Sequence, residues 1–190
     1  IDIGCGQGSL LIYLKNKGLT NLMGLDISNY MIDSDIDFIQ ADFSTYQPKE
    51  KYDLITTMAN IEHIKDVHAY VEKMKQMLKP DGIIIIMTID ENSFIYSLAK
   101  ILYKLNITFA AKRLYSEHHI NHFSKKTLQK LVEMNGFEII DFYSKNYASE
   151  STDLGKIKFS LGVELAIRII NILSTLLNKK IMQTIVIKQI

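Results

Sequence analysis

The opening eight residues, Ile1-Asp2-Ile3-Gly4-Cys5-Gly6-Gln7-Gly8, constrain the fold more than any other stretch. A β-branched start, three glycines at alternate positions and then Ser9-Leu10-Leu11-Ile12-Tyr13-Leu14 spell strand, tight turn and helix. Glycine carries no Cβ and takes positive φ cheaply, so backbone at such a turn can lie directly against a ligand. The helix that follows points its unpaired N–H groups and partial positive charge at the same place. The pattern predicts a nucleotide-type cofactor site.

The segments that follow repeat the strand–helix alternation. Leu10, Leu11 and Leu14 mark the buried side of a first helix over 9–17, and Gly18 stands where a left-handed C-cap is wanted. Residues 21–25 read as a buried strand ending at Asp26, 22 positions after Gly4. There a nucleotide-binding α/β unit places the carboxylate that holds ribose hydroxyls. Ser28 to Ser34 leave room for one or two helical turns before a short strand at 38–41, which is closed by a second acid, Asp42. That acid suits either an exocyclic amine or the capping of the next turn. Residues 52–57 make a fourth strand, and Asp66 caps a helix carrying Val67, Tyr70, Val71, Met74 and Leu78. Lys79-Pro80-Asp81-Gly82 turns the chain into the apolar run Ile83–Ile89, the mark of a strand covered on both faces of a parallel sheet. The alternation predicts an α/β fold with a parallel, doubly wound sheet.

After Asp90 the rhythm breaks. A helix over 94–105, an irregular stretch to Phe123, a Ser124-capped helix and a strand at 137–143 follow, and the last strand is 184–190. The chain therefore reads as one domain over 1–190 with a cap inserted at about 91–123. Its start inside a strand leads us to expect an upstream segment. A strongly apolar helix over 163–177 carries a narrow polar stripe at Glu164, Arg168, Asn171, Thr175 and Asn178. Burial against the sheet or a second copy in a homodimer is the ordinary reason for such a pattern. Peripheral membrane contact, or one wall of a pocket for a greasy substrate, is the sharper alternative.

Composition matters in two places. The single Cys5 excludes an internal disulfide and fits a reducing, cytoplasmic setting. The net charge of +1 conceals 8 lysines against 14 acids in residues 1–99, and 14 lysines and arginines against 7 acids in residues 100–190. A basic second half favours an anionic partner. It carries no duplex-reading motif, so nucleic acid is not expected.

Six motifs, Asp2-Ile3-Gly4-Cys5-Gly6-Gln7-Gly8, Gly24-Leu25-Asp26-Ile27-Ser28, Gln40-Ala41-Asp42, Tyr52-Asp53-Leu54-Ile55, Ile61-Glu62-His63-Ile64 and Leu78-Lys79-Pro80-Asp81-Gly82, occur in order. Together the chain resembles the class I S-adenosylmethionine-dependent methyltransferases, on the small-molecule side that includes the ubiquinone-biosynthesis O-methyltransferases. The likeness covers residues 1–90 and returns at 119–124, 136–137 and the closing strand. It implies a Rossmann-like seven-stranded sheet, mostly parallel, whose antiparallel last strand inserts beside 83–89. It also implies that Gly4, Cys5, Gly6 and Gly8 approach the methionine and ribose of S-adenosylmethionine, with Asp2 near its amino group. Asp26 would take the ribose hydroxyls and Ile27 would pack on the adenine. Asp42 and the Phe43 backbone would meet the adenine amine, and Met58 the methionine tail. Relatives of the ubiquinone type carry a further acid three positions before the residue matching Glu62, and some hold a divalent metal with this group. Here Ala59 stands there, so no metal is expected, and Glu62 and His63 read as structural or partly exposed.

Methyl transfer to a hydroxyl calls for orientation and a base, and histidine titrates in the useful range. His119 and His122, in the loop expected over the acceptor side, and His63 are the candidates. The apolar helices and basic residues of the second half suggest an acceptor with a hydrophobic body and an anionic part. A nicotinamide dehydrogenase is the enzymatic alternative, although G-x-G-x-G replaces its G-x-G-x-x-G. A non-catalytic scaffold docking a partner or membrane is the other.

Overall fold

The computed structural model describes residues 1–115, 117–146 and 161–190, and for 161–164 only the backbone. Seven strands form one sheet: β1 (Asp2–Ile3), β2 (Met23–Asp26), β3 (Asp37–Gln40), β4 (Tyr52–Met58), β5 (Leu78–Ile89), β6 (Phe137–Lys145) and β7 (Met182–Gln189). Their order is β3-β2-β1-β4-β5-β7-β6. The first five pair in parallel, and β7 runs antiparallel between β5 and β6. From β1 the chain moves outward one way to β2 and β3, then returns to place β4 on the other side of β1. Right-handed crossovers then put α1 (Ser9–Asn16), which links β1 to β2, and α2 (Val67–Met77), which links β4 to β5, on opposite faces. The sheet is thus doubly wound, and the strand order reverses between β1 and β4, where ligands of open α/β sheets bind at the carboxyl ends.

Local chemistry explains the element boundaries. Gly18 takes φ +86° just past α1, as its C-terminal position requires. Asp66 accepts from the Ala69 N–H at the start of α2. Ser124 and Thr127 form a reciprocal capping box on α5 (Lys125–Met134). The Lys79–Gly82 turn is absorbed as a register shift between Tyr52 and Leu54 of β4. Ile84 and Ile86 of β5 are fully buried, whereas Ile83, Ile85 and Met87 on the other face are half-buried, so the strand is not equally covered on both sides. Ile3, Leu25, Ile55, Ile185 and Ile187 join them with Tyr70, Val71 and Met74 of α2 and Leu128 and Val132 of α5 in one core. Burying each of these aliphatic side chains contributes about 1.5–3 kcal/mol.

Three expectations change. Residues 28–34 form no helical turn; Asp33 instead bonds its own chain at Asp35 N and, with Asp35, holds Lys15 of α1. The irregular stretch before Phe123 contains a short helix, α4 (Phe109–Leu114), packed on α3 (Phe94–Lys104). The apolar helix, α6 (Leu161–Leu176), leaves most of its described apolar residues exposed. Among the described residues Ser174 is buried, Ile167, Ile170 and Asn171 are half-buried beside it, and Asn146 donates to Asn171 O and Thr175 Oγ1, while Arg168 and Thr175 of the polar stripe stay exposed. Leu165, Ile169, Ile172 and Leu176 face outward. Among the described residues, no helix is long and apolar enough to cross a membrane.

Candidate functional site

The residues singled out for cofactor binding gather at the carboxyl ends of β1, β2, β3 and β4. Gly4, Gly6 and Gly8 all have positive φ, at 74°, 53° and 80°. The Gly6 N–H donates to Asp26 Oδ2 at 2.8 Å, and Ser28 donates to Oδ1 through its N–H (2.8 Å) and its hydroxyl (2.6 Å). The carboxylate ending β2 is therefore turned into the glycine loop. Partial burial opposes its ionisation, but the bonds from Ser28 and Gly6 outweigh this and hold its pKa below the usual carboxylate value. Ile27 beside it is 70% exposed, an apolar platform at the strand end.

Asp2 lies deeper. It is buried, accepts from Thr56 Oγ1 at 2.7 Å, and burial pushes its pKa up to about 6. Its role here is to lock β1 to β4. Cys5 is half-buried, and desolvation together with Asp2 and Asp26 pushes its thiol up to about 12, so it is no nucleophile at neutral pH. Asp42 is exposed and accepts from Ser44 N at 2.8 Å, the turn-capping geometry, and its carboxyl sits low because of Ser44. Phe43 sends its ring into the core against Tyr70, with centroids 4.9 Å apart. Met58 is half-buried at the end of β4 opposite Met87 of β5.

Two residues of this crevice escaped the sequence reading. A Cβ on Gly4 would lie 2.5 Å from Asn60 Nδ2, so Asn60 packs directly on the glycine turn. It donates to Tyr70 Oη (3.0 Å), which in turn bonds Thr57 Oγ1 (2.8 Å). Ala59, at φ 51°, swings the chain round to present it. Met31 packs against Gly8 and Gly24, lying where a Cβ on either would have to go. The signal for Asn60 was its place just past a strand end; for Met31 there was none.

The histidines meet on the cap side. Asn121 ties the cap loop to the turn Ile61–His63, its N–H donating to Glu62 O (2.9 Å) and its amide to Ile64 O (2.5 Å). The His63 and His119 rings lie 5.0 Å apart, His119 and His122 6.2 Å, and His122 and Tyr115 4.7 Å. His63 Nδ1 bonds the His118 carbonyl at 2.6 Å; since the oxygen only accepts, Nδ1 carries the proton and a neutral His63 keeps a lone pair on Nε2. Among the described residues, buried His119 Nδ1 has no bonding partner. Burial first, then His119 and Lys100, lower the His122 pKa against the pull of Glu91 and Glu62. Contrary to a partly exposed reading, Glu62 is buried and its Oε2 accepts from Thr88 Oγ1 at 2.7 Å. Glu62, His63 and His119 bring one ligand-type atom each to within 4.8 Å of the others. The group offers the carboxylate and imidazole donors a divalent ion takes as well as the lone pairs a base needs.

A crevice of glycine backbone, strand-end carboxylates and an exposed apolar platform at the reversal of a doubly wound sheet defines a nucleoside-cofactor domain. The methyltransferase domain family model matches residues 1–141, and the chain belongs to that family. The resemblance to the class I S-adenosylmethionine-dependent methyltransferases thus stands. The ubiquinone biosynthesis O-methyltransferase of Bradyrhizobium diazoefficiens is 29% identical over 109 residues, which cover 52% of this chain and 43% of that protein. The (S)-tetrahydroprotoberberine N-methyltransferase of Eschscholzia californica is 29% identical over 108 residues, covering 50% and 30%. The chain thus spans less than half the length of either. The crystal structure of an S-adenosylmethionine-dependent methyltransferase from Archaeoglobus fulgidus shares the fold, with a TM-score of 0.66 at 24% identity over 99% of this chain and 84% of that one.

Proposed function

We propose that this protein transfers a methyl group from S-adenosylmethionine to a hydroxyl of a small molecule with an apolar body. The observation that carries the reading is the Asp26 carboxylate bonded to Gly6 N–H at 2.8 Å, which sets a fixed negative charge against a Cβ-free loop. These residues fit the cofactor: Asp26 keeps acceptor capacity for the ribose, Ile27 offers its exposed side chain to the adenine, and the Gly4–Gly8 backbone faces the methionine end. Asp42 and the Phe43 backbone would serve the adenine amine, Met58 the methionine tail, and Asp2 the amino group from beneath.

When bound, S-adenosylmethionine supplies a methyl already activated on a sulfonium, so the protein's own task is orientation and proton removal. Holding acceptor and donor in line is worth about 7–11 kcal/mol in favourable cases. His119 or His122, with His63 behind them, takes the hydroxyl proton; burial keeps His122 neutral and able to do so near neutral pH. The relatives' names include both O- and N-methyltransferases, so the hydroxyl rests on these histidines rather than on likeness. Calorimetry with S-adenosylhomocysteine, followed by an acceptor screen with labelled methyl donor, tests the reading. No binding of S-adenosylhomocysteine would refute it. The outward apolar face of α6 supports peripheral contact with a membrane or a second copy of the chain, and vesicle flotation against sedimentation equilibrium separates the two.

A further inference from the structure

Between α3 and α4, beyond the histidine row, lies a cleft of ≈ 540 Å³ lined by Lys100, Tyr103, Lys104, Ala111, Lys112 and Tyr115. That volume is in the range of small-molecule sites. Lys100 and Lys104 stand one turn apart on the same face of α3, and Lys112 faces them from α4. Among the described residues, no bond or ion pair engages these three ammonium groups, and no acid lines the cleft. Like charges one helical turn apart repel, and a third on the facing helix adds to that. Such a cluster is relieved by an anion. The walls are two tyrosine rings and Ala111, and Ile101, Leu105 and Phe109 continue an exposed apolar surface on the same two helices and the loop joining them. The inner wall, Tyr115, stacks at 4.7 Å on His122.

We infer that this cleft is the anchoring end of the acceptor site, and that it binds an aromatic-bodied oxyanion, a carboxylate or phosphate monoester, with the lysines on the anion and the body laid along Tyr115 toward His122. The inference rests on the methyltransferase reading only in naming the ligand an acceptor.

The test uses naphthalene-2-carboxylate, 2-naphthyl phosphate and the neutral naphthalene-2-methanol, whose fluorescence is read against a chain without tryptophan. We expect at least one anionic probe to bind tenfold or more tighter than the alcohol, with affinity falling as salt rises. The better of the two distinguishes carboxylate from phosphate. The Lys100→Gln/Lys104→Gln/Lys112→Gln variant should lose at least tenfold for that probe while melting no lower than the parent and binding S-adenosylhomocysteine within twofold. The imidazole resonances of His122 should shift at fixed pH with probe bound, since Tyr115 lies against it. Equal binding of the alcohol, undiminished anion binding by the triple variant, or unmoved His122 resonances overturns the inference. If the anion binds as described but S-adenosylhomocysteine does not, the cleft stands and the methyltransferase reading fails; the reverse result sinks the cleft alone.

Discussion

Asp26→Asn is the most direct challenge to the cofactor crevice, and its size follows from counting acceptor sites. A carboxylate offers about four lone-pair positions. Three are taken, two on Oδ1 by Ser28 and one on Oδ2 by Gly6. One position remains for a ribose hydroxyl, and a hydrogen bond to a charged group is worth about 1.5–3 kcal/mol. Its loss should weaken S-adenosylhomocysteine by roughly 10- to 150-fold in Kd. The new amide must also point an N–H at either Gly6 or Ser28, both donors, so the ligand-free variant should melt somewhat lower. Ser28→Ala works the other way. It frees a second position on Oδ1 while the Ser28 N–H bond stays, and affinity should be unchanged or higher. Calorimetry at neutral pH measures both. The sign with pH is also defined: because the folded pKa is depressed, the contribution of ionised Asp26 is intact above the ordinary carboxylate value and fades only as pH falls through the lower folded one. An Asp26→Asn variant that binds S-adenosylhomocysteine within threefold of the parent would refute the ribose assignment.

Three further outcomes are expected. Asp2 is buried with its pKa raised to about 6, so its charged form costs stability above that pH; Asp2→Asn should raise the melting temperature at pH 8, by an amount on the order of 2–3 kcal/mol, and by clearly less at pH 4.5, as thermal melts will show. Gly4→Ala, at φ 74° and 2.5 Å from Asn60, should cost about 1–2 kcal/mol in backbone strain, more once Asn60 leaves Tyr70, and should weaken S-adenosylhomocysteine in parallel by calorimetry. His122→Asn should lower kcat roughly 10²- to 10⁴-fold in the labelled-donor assay with cofactor affinity unchanged, and in the parent the rising limb of kcat/KM with pH should lie below the ordinary histidine value.

What could be read from the chain was whatever a local pattern dictates. The positive φ of Gly4, Gly6 and Gly8 follows from residue type and position, and so does the carboxylate at the end of β2. The place of β7 beside β5 came from resemblance, since an antiparallel insertion leaves no local trace. Where long-range packing decides, the reading failed. Residues 28–34 hold helical turns only if nothing competes, and Met31 against Gly8 and Gly24, with Lys15 clamping Asp33 and Asp35, does compete. Asn60 is visible only once Gly4 and Tyr70 are known to meet it.

The apolar helix shows the same limit from the other side. Period alone states that one stripe of α6 is polar; which stripe faces the chain depends on the partners waiting there. Asn146 offers an amide that Asn171 O and Thr175 Oγ1 satisfy, whereas without these acceptors it would be left unpaired at a cost of about 1–3 kcal/mol if the contact stayed dry. Leu165, Ile169, Ile172 and Leu176 are turned out on a helix that packs on α3, where Lys100 and Lys104 line the cleft. Both features lie in the basic half of the sequence, and under the inference above its surplus charge draws an anion to aromatic walls one ring away from His122.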